Sequence, residues 1–171
     1  MTEVWLRGPL TGIDGYLMPA AHALMQAREE LASAVDGLSA EEVWRRPGNV
    51  AAIGFHLRHI AGATDRLLTY ARAEMLTPEQ MVVLRAEGEA GEPAAGADEL
   101  LAIAQSGIDA ALARIAATPR EALLEAREVG RKRLPTTVLG LLFHIAEHTQ
   151  RHVGQVVTTA KIIRAETAAA S

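Results

Sequence analysis

Leu141-Leu142-Phe143-His144-Ile145-Ala146-Glu147-His148-Thr149-Gln150-Arg151-His152-Val153-Gly154-Gln155 is the stretch whose reading decides the fold. The apolar positions in and around it, Val138, Leu141, Ile145, Val156 and Ile163, recur at helical spacing and predict one long helix. His144, His148 and His152 stand at successive i, i+4 positions of that helix, so half of the six histidines form one column. His148 and His152 fill the gap in the apolar series. They are expected to face the core, where an imidazole needs a partner.

Working outward, the composition is 49% hydrophobic but only 4% aromatic, rich in Ala, Leu, Glu and Arg. Such a composition favours closely packed helices, and a chain of 171 residues is expected to form one domain, residues 1–171. The fold class follows as all-α. Fifteen of the seventeen basic residues are Arg, yet the formal net charge is −4, which leaves no positive field for nucleic acid. There is no Cys, so any thiol chemistry must come from a co-substrate. No basic start precedes an apolar segment, and no run approaches the roughly 18 apolar residues of a membrane span. A cytoplasmic protein without a membrane partner is the expectation.

Four long helices are predicted, over about Met18 to Val35, Val50 to Ala73, Asp98 to Ala117 and Leu134 to Arg164. In the first, Leu17, Leu24, Leu31 and Leu38 recur every seven residues. Ile53, Leu57, Ile60, Leu67 and Ala71 line the second, and Leu101, Ile108, Leu112 and Ile115 the third, with Asp98 as its N-cap. Ser39-Ala40-Glu41-Glu42, Thr77-Pro78-Glu79-Gln80 and Thr118-Pro119-Arg120-Glu121 read as capping boxes that open short connecting helices. Glu87 to Ala97, rich in Gly and Pro, reads as a crossover loop. An up-down-down-up four-helix bundle with a long crossover between its second and third helices is the predicted architecture. Ala165 to Ser171 are expected to fray.

His148-x-x-x-His152 has the spacing of a metal-ligand pair for zinc, nickel, cobalt or iron. The competing reading is a pair of hydrogen-bonded core histidines. A third ligand would decide between them. His144 is a weak choice, because helix rise separates it from His152 by about 12 Å. Periodicity sets His56 about 60° and His59 about 120° from the centre of the second helix's apolar face, which leans slightly towards His56. His22 is a further candidate. His144-Ile145-Ala146-Glu147-His148 spells an inverted zinc-protease motif but has no acidic ligand on a later helix. No histidine has the Glu three residues earlier that a di-iron bundle needs.

Ile53-Gly54-Phe55-His56-Leu57-Arg58-His59-Ile60-Ala61, followed by His148-Thr149-Gln150-Arg151-His152-Val153-Gly154-Gln155, resembles the two signatures of the DinB-like (damage-inducible, YfiT-like) metal-dependent bundles. In that family the second-helix ligand is the histidine just before the Ile-Ala pair. The resemblance therefore implies a three-histidine site of His59, His148 and His152 for one divalent metal ion, zinc or nickel first, with iron, cobalt or manganese as alternatives. It further implies a metal-dependent transferase, of the thiol-dependent S-transferase type, or a hydrolase, acting on a small-molecule substrate with a low-molecular-weight thiol as a candidate partner. A non-catalytic metal- or ligand-binding bundle with a structural or sensing role is the competing reading. His144, His56, Glu147, Asp65 and Gln155 are candidates to hydrogen-bond the ligand imidazoles. A homodimer is compatible with both readings. Arg127, Arg131, Lys132 and Arg133 read most simply as a solvated loop, with the holding of an anionic co-substrate at the bundle mouth as the alternative. Trp5, Trp44, Met75 and Met81 read as packing residues.

Overall fold

The long helix expected around the histidine column runs, in the computed structural model, from Val138 to Ala170. The model describes residues 2–170. Six α-helices are present among the described residues: α1 (Met18–Val35), α2 (Ala40–Trp44), α3 (Ile53–Ala71), α4 (Pro78–Ala86), α5 (Ala97–Ala117) and α6 (Val138–Ala170). Two short strands, β1 (Ala126–Val129) and β2 (Leu134–Thr137), precede α6.

The core follows from the apolar spacing. Leu17, Leu24 and Leu31 of the α1 heptad are fully buried, and they meet Val138, Leu142, Ile145, Val156 and Ile163 of α6 and Ile53, Leu57 and Ile60 of α3. Each such side chain contributes about 1.5–3 kcal/mol on leaving water. On α5 the seam is Leu100, Ala104, Ile108, Ala111 and Ile115, while Leu101 and Leu112 pack only at its margin. The alanines bring the helices close. At Gly107 the backbones of α5 and α3 come close, since a Cβ there would lie 2.8 Å from the Cα of Ala61 on α3.

Contacts between the long helices fix which residues share a level. Gln150 on α6 donates to the Ala23 carbonyl on α1 (2.7 Å), and Arg164 donates to the Asp36 carbonyl (2.7 Å). Arg28 on α1 pairs with Asp109 on α5 (3.2 Å). His56 and His59 on α3 lie against His152 and His148 on α6, so these two helices run antiparallel where they meet.

Two of the three expected capping boxes form. Ser39 Oγ accepts from Glu42 N while Ser39 N donates to Glu42, and Thr77 and Gln80 make the same exchange. The third does not. Thr118 Oγ1 turns back to donate to the Arg114 carbonyl (2.7 Å), and Arg120–Ala122 is a single 3-10 turn. The N-cap of α5 is Gly96 rather than Asp98, which instead sits in the first turn, where its charge complements the helix dipole.

The chain is mostly helical and broadly fits the expected all-α bundle, with one addition, the β1–β2 hairpin, in which Ala126 pairs with Thr137 and Val129 with Leu134. Four-residue strands are too short for a periodic signal, and four basic residues mask the segment as solvated loop. Gly130 (φ +69°) and Arg133 (φ +50°) turn the chain, closed by Arg133 N donating to the Gly130 carbonyl. Arg127 then docks the hairpin by donating from Nε to the Ala71 carbonyl at the end of α3 (2.9 Å).

At the C-terminus α6 continues past the expected end at Arg164 to Ala170. Arg45 reaches Glu166 (2.5 Å) and Thr167 donates to Glu42 (3.0 Å), tying this last segment to α2. Ser171 lies outside the described residues. By length and composition α5 is long and apolar enough to cross a membrane, with a mean hydropathy of 1.4, although no such run was expected. Alanine accounts for the difference, since it raises hydropathy without forming a run of large apolar residues.

Trp44 packs on Gly54, where a Cβ would lie 2.7 Å from the indole, and donates to the Ala95 carbonyl (2.9 Å). Trp5 is not a packing residue; it is 62% exposed.

Candidate metal centre

Residues from the N-terminal half of α3 meet residues near the middle of α6. An i, i+3 pair on α3, His56 and His59, faces the i, i+4 pair His148 and His152 on α6 across the antiparallel contact. Four imidazoles therefore gather in one place. His59 Nε2 lies 3.0 Å from His148 Nε2, and one ring nitrogen from each of His59, His148 and His152 falls within 4.8 Å of the others. Nitrogens sharing a tetrahedral zinc ion at about 2.0–2.1 Å would be roughly 3.3 Å apart, inside the range this triad spans. The donor set fits a divalent ion, and it is the triad that the resemblance implied.

His56, favoured by periodicity, lies one layer behind. Its Nδ1 is 2.9 Å from Nδ1 of His152. An imidazole that offers Nε2 to an ion carries its proton on Nδ1, so in that state His152 donates and His56 accepts. His59 is held in the same manner from the other side. Its Nδ1–H donates to Glu87 Oε2 (2.7 Å), whose second oxygen accepts from Arg66 (2.7 Å). Glu87 is only 2% exposed. This carboxylate-imidazole arrangement fixes the ring and leaves Nε2 of His59 aimed at the other two histidines.

Glu87 was not legible as a site residue. It directly follows α4 at the head of a stretch that reads as loop, and nothing in its neighbours marks it as buried. Gly62 on α3 makes its place: a Cβ there would lie 2.2 Å from Glu87 Oε1 and 2.9 Å from Arg66 Nη1.

The remaining candidates are placed elsewhere. His144 is exposed, with its ring 5.5 Å from that of His148 and its Nδ1 2.8 Å from Glu147. Glu147 also pairs with Arg151 and touches none of the triad, because its position on α6 faces solvent. Asp65 accepts from Gln80 (2.6 Å) on the exposed side of α3, about a third of a turn around the helix from His59, and Gln155 is exposed on α6. His22 lies 3.0 Å from the Gly8 carbonyl, away from the cluster. Phe55 stacks on His59 with 18° between the rings.

The model of the DinB superfamily matches residues 23–156, from α1 through most of α6, and includes all four clustered histidines. The chain belongs to the DinB superfamily. No curated protein matches it. Superfamily membership and the three-histidine group are together compatible with a metal-binding protein.

In this DinB superfamily chain His56, His148 and His152 are kept neutral. Burial, reinforced by the neighbouring His59, lowers His56 to about 4 and His148 to about 4. Burial and then the adjacent histidines lower His152 to about 3. Neutral imidazole is the ligating form, so the site needs no proton loss from these rings near neutral pH. The same shifts make stability depend on pH. An unfolded imidazole takes its proton near pH 6.5, whereas the folded ones resist until about pH 3–4. Between those limits the unfolded state binds more protons, so this contribution is present above pH 6.5 and is lost as pH falls. Metal-free protein is expected to lose melting temperature from pH 6.5 downward, before most carboxylates titrate, and His152→Ala to flatten that slope. Thermal melts across this range check it, and a melting temperature that stays level to about pH 5 would contradict it.

His59 and His148 open onto a cavity of about 660 Å³ between α3, α4 and the hairpin turn. Leu67, Tyr70, Met75, Leu76, Met81 and Leu84 form its walls, with Arg131 from the turn at the rim. Met75 and Met81 therefore line this cleft rather than filling the core.

Proposed function

We propose that this chain is a metal-dependent enzyme of the DinB superfamily in which His59, His148 and His152 hold one divalent ion, zinc or nickel, for a transfer reaction between a low-molecular-weight thiol and a small electrophile. The observation that carries the reading is the triad's position: His59 and His148 line the cavity, so one side of the cluster faces a volume sized for a small molecule. Three protein ligands with an accessible side are the pattern of a catalytic rather than a closed structural site. A divalent ion bound there supplies Lewis-acid polarisation and favours the thiolate over the thiol. The chain itself has no cysteine to contribute, so the sulfur comes from the co-substrate.

The protein's own groups do the rest. Glu87 and His56 hold the Nδ1 atoms of His59 and His152, which keeps both rings directed at one point. Apolar walls exclude water from the substrate. His144, tethered to Glu147 on the cavity wall, is in position to exchange a proton with whatever occupies the cleft.

This reading takes α1, α3, α5 and α6 as an up-down-down-up bundle. The level pairs Ala23 with Gln150, Arg28 with Asp109 and His59 with His148 support it. It also takes the protein as cytoplasmic, where millimolar thiol pools supply the co-substrate.

Elemental analysis of protein purified without chelator, followed by turnover assays with glutathione, bacillithiol or mycothiol and chloro- or epoxide electrophiles, tests the proposal. About one metal per chain and thiol-dependent turnover lost on chelation are expected. Hydrolysis of ester or amide substrates by the metal-loaded protein without thiol would move the assignment to a hydrolase. A full set of protein ligands in spectra of the cobalt form, with no exchangeable position, would move it to a structural or sensing role.

A further inference from the structure

The hairpin carries three arginines and one lysine, and their surroundings divide them. Arg127 is held by the Ala71 and Ala126 carbonyls and by Glu125, and Arg133 pairs with Glu128. Among the described residues Arg131 makes no hydrogen bond or ion pair. It stands where two cavities adjoin: the cleft over the histidines, and a second of about 750 Å³ along the hairpin. Met75, Gly130 and Arg131 line both.

Charge balance separates the two cavities. In the second, Arg133 meets Glu128, Arg127 meets Glu125 and Glu74 meets Arg72. No Asp or Glu lines the first. Arg66 lines it too, but its charge is answered by the buried Glu87. Arg131 is thus the cation of this cleft without a counter-charge, beside the apolar side chains Leu67, Tyr70, Met75, Leu76, Met81 and Leu84. The three histidines of the triad bring no negative charge to offset a divalent ion, so occupancy of the site would deepen the same imbalance.

We propose that this cleft binds a small amphipathic carboxylate, its apolar body over Leu67, Tyr70 and Leu84 and its acid group on the Arg131 guanidinium. The proposal rests on the functional reading above in naming the substrate class of the same site. A guanidinium offers a carboxylate two parallel N–H donors, and a low-dielectric wall beside it strengthens the pair over one in open solvent. Arg131 is exposed on a turn bounded by two positive-φ residues, Gly130 and Arg133, and its side chain lines the cleft. The ligand's uncharged end is left facing the histidines.

The test compares hexanoate with hexanol, which share an apolar body and differ in charge, by NMR titration of chelator-stripped protein. Hexanoate is expected to bind on the order of tenfold more tightly, with a preference that shrinks as salt is raised. Arg131→Ala should abolish the preference, Arg131→Lys should keep part of it, and Lys132→Ala, beside it on the turn but lining neither cavity, should leave it intact. Metal-free protein is the deciding sample, because in zinc-loaded protein a carboxylate could reach the ion directly. Equal affinity for acid and alcohol, or a preference that survives Arg131→Ala, overturns the inference. A parallel zinc titration that shows no binding would remove the metal reading while leaving the hexanoate result to stand or fall by itself.

Discussion

His148→Ala and His152→Ala proteins are expected to bind zinc on the order of 10²–10³-fold more weakly than wild type, whereas His144→Ala keeps one metal per chain. The size follows from dividing the roughly 10–16 kcal/mol of a four-ligand zinc site among its ligands, at about 1.4 kcal/mol per decade. The direction follows from geometry. His148 and His152 each place a nitrogen within 4.8 Å of the other members of the triad, while His144 is exposed and tied to Glu147. His148 faces the cavity, so its truncation removes little packing, and the variant should fold. His56→Ala gives an intermediate result, about 10–100-fold weaker, because it removes only the partner of His152 Nδ1. Competition with a chromophoric chelator measures all four. Wild-type protein that binds neither zinc nor nickel would leave a hydrogen-bonded histidine cluster and end the metal reading.

The helices and the triad differ in how they were written in the sequence. Apolar spacing exposes α1, α3, α5 and α6, because each buries one stripe of a long element. Leu24, Leu31, Ile53, Leu57 and Ile163 are all fully buried as that spacing requires. The β1–β2 hairpin left no such trace. Its strands are four residues long, and it is held by backbone pairing, one arginine-to-carbonyl bond and the apolar contact of Val129 with Tyr70, Ala71 and Leu141. Within the site, His148 and His152 were legible as a local i, i+4 pair. Periodicity could not choose between His56 and His59, because each helix of a bundle has two neighbours and spacing gives only an average inward direction; the family signature named His59. The structure uses both, with His59 in the triad and His56 behind His152. Asp65 and Gln155 were proposed from proximity in sequence, and the helix turns both away. Glu87 was the reverse case, distant in sequence from every histidine and buried by a loop whose path depends on tertiary contacts.

Glu87→Ala should be the most disruptive single substitution at the site, and a second substitution separates its two effects. The carboxylate is 2% exposed and bridges Arg66 and His59 at 2.7 Å each. Its removal leaves the Arg66 guanidinium buried without a counter-ion, which costs about 3–5 kcal/mol of stability. It also frees His59 to rotate, which lowers metal affinity by about 10–100-fold. Replacing both ionic partners, as Glu87→Ala with Arg66→Leu, removes the uncompensated charge and should restore most of the stability, since buried pairs contribute little net when both members go. Metal affinity should stay low in that double variant, because His59 Nδ1 still lacks its acceptor. Glu87→Gln retains an oxygen for His59 and should bind metal more tightly than Glu87→Ala. Gly62→Ala offers a route that leaves the ionic groups themselves unchanged. Its Cβ would intrude to 2.2 Å from Glu87 Oε1, so displacing the carboxylate should reproduce part of the metal defect. Denaturant melts and zinc competition, measured on the same four proteins, distinguish the outcomes. Recovery of metal affinity together with stability in the double variant would show that Glu87 acts only through the fold and not through the orientation of His59.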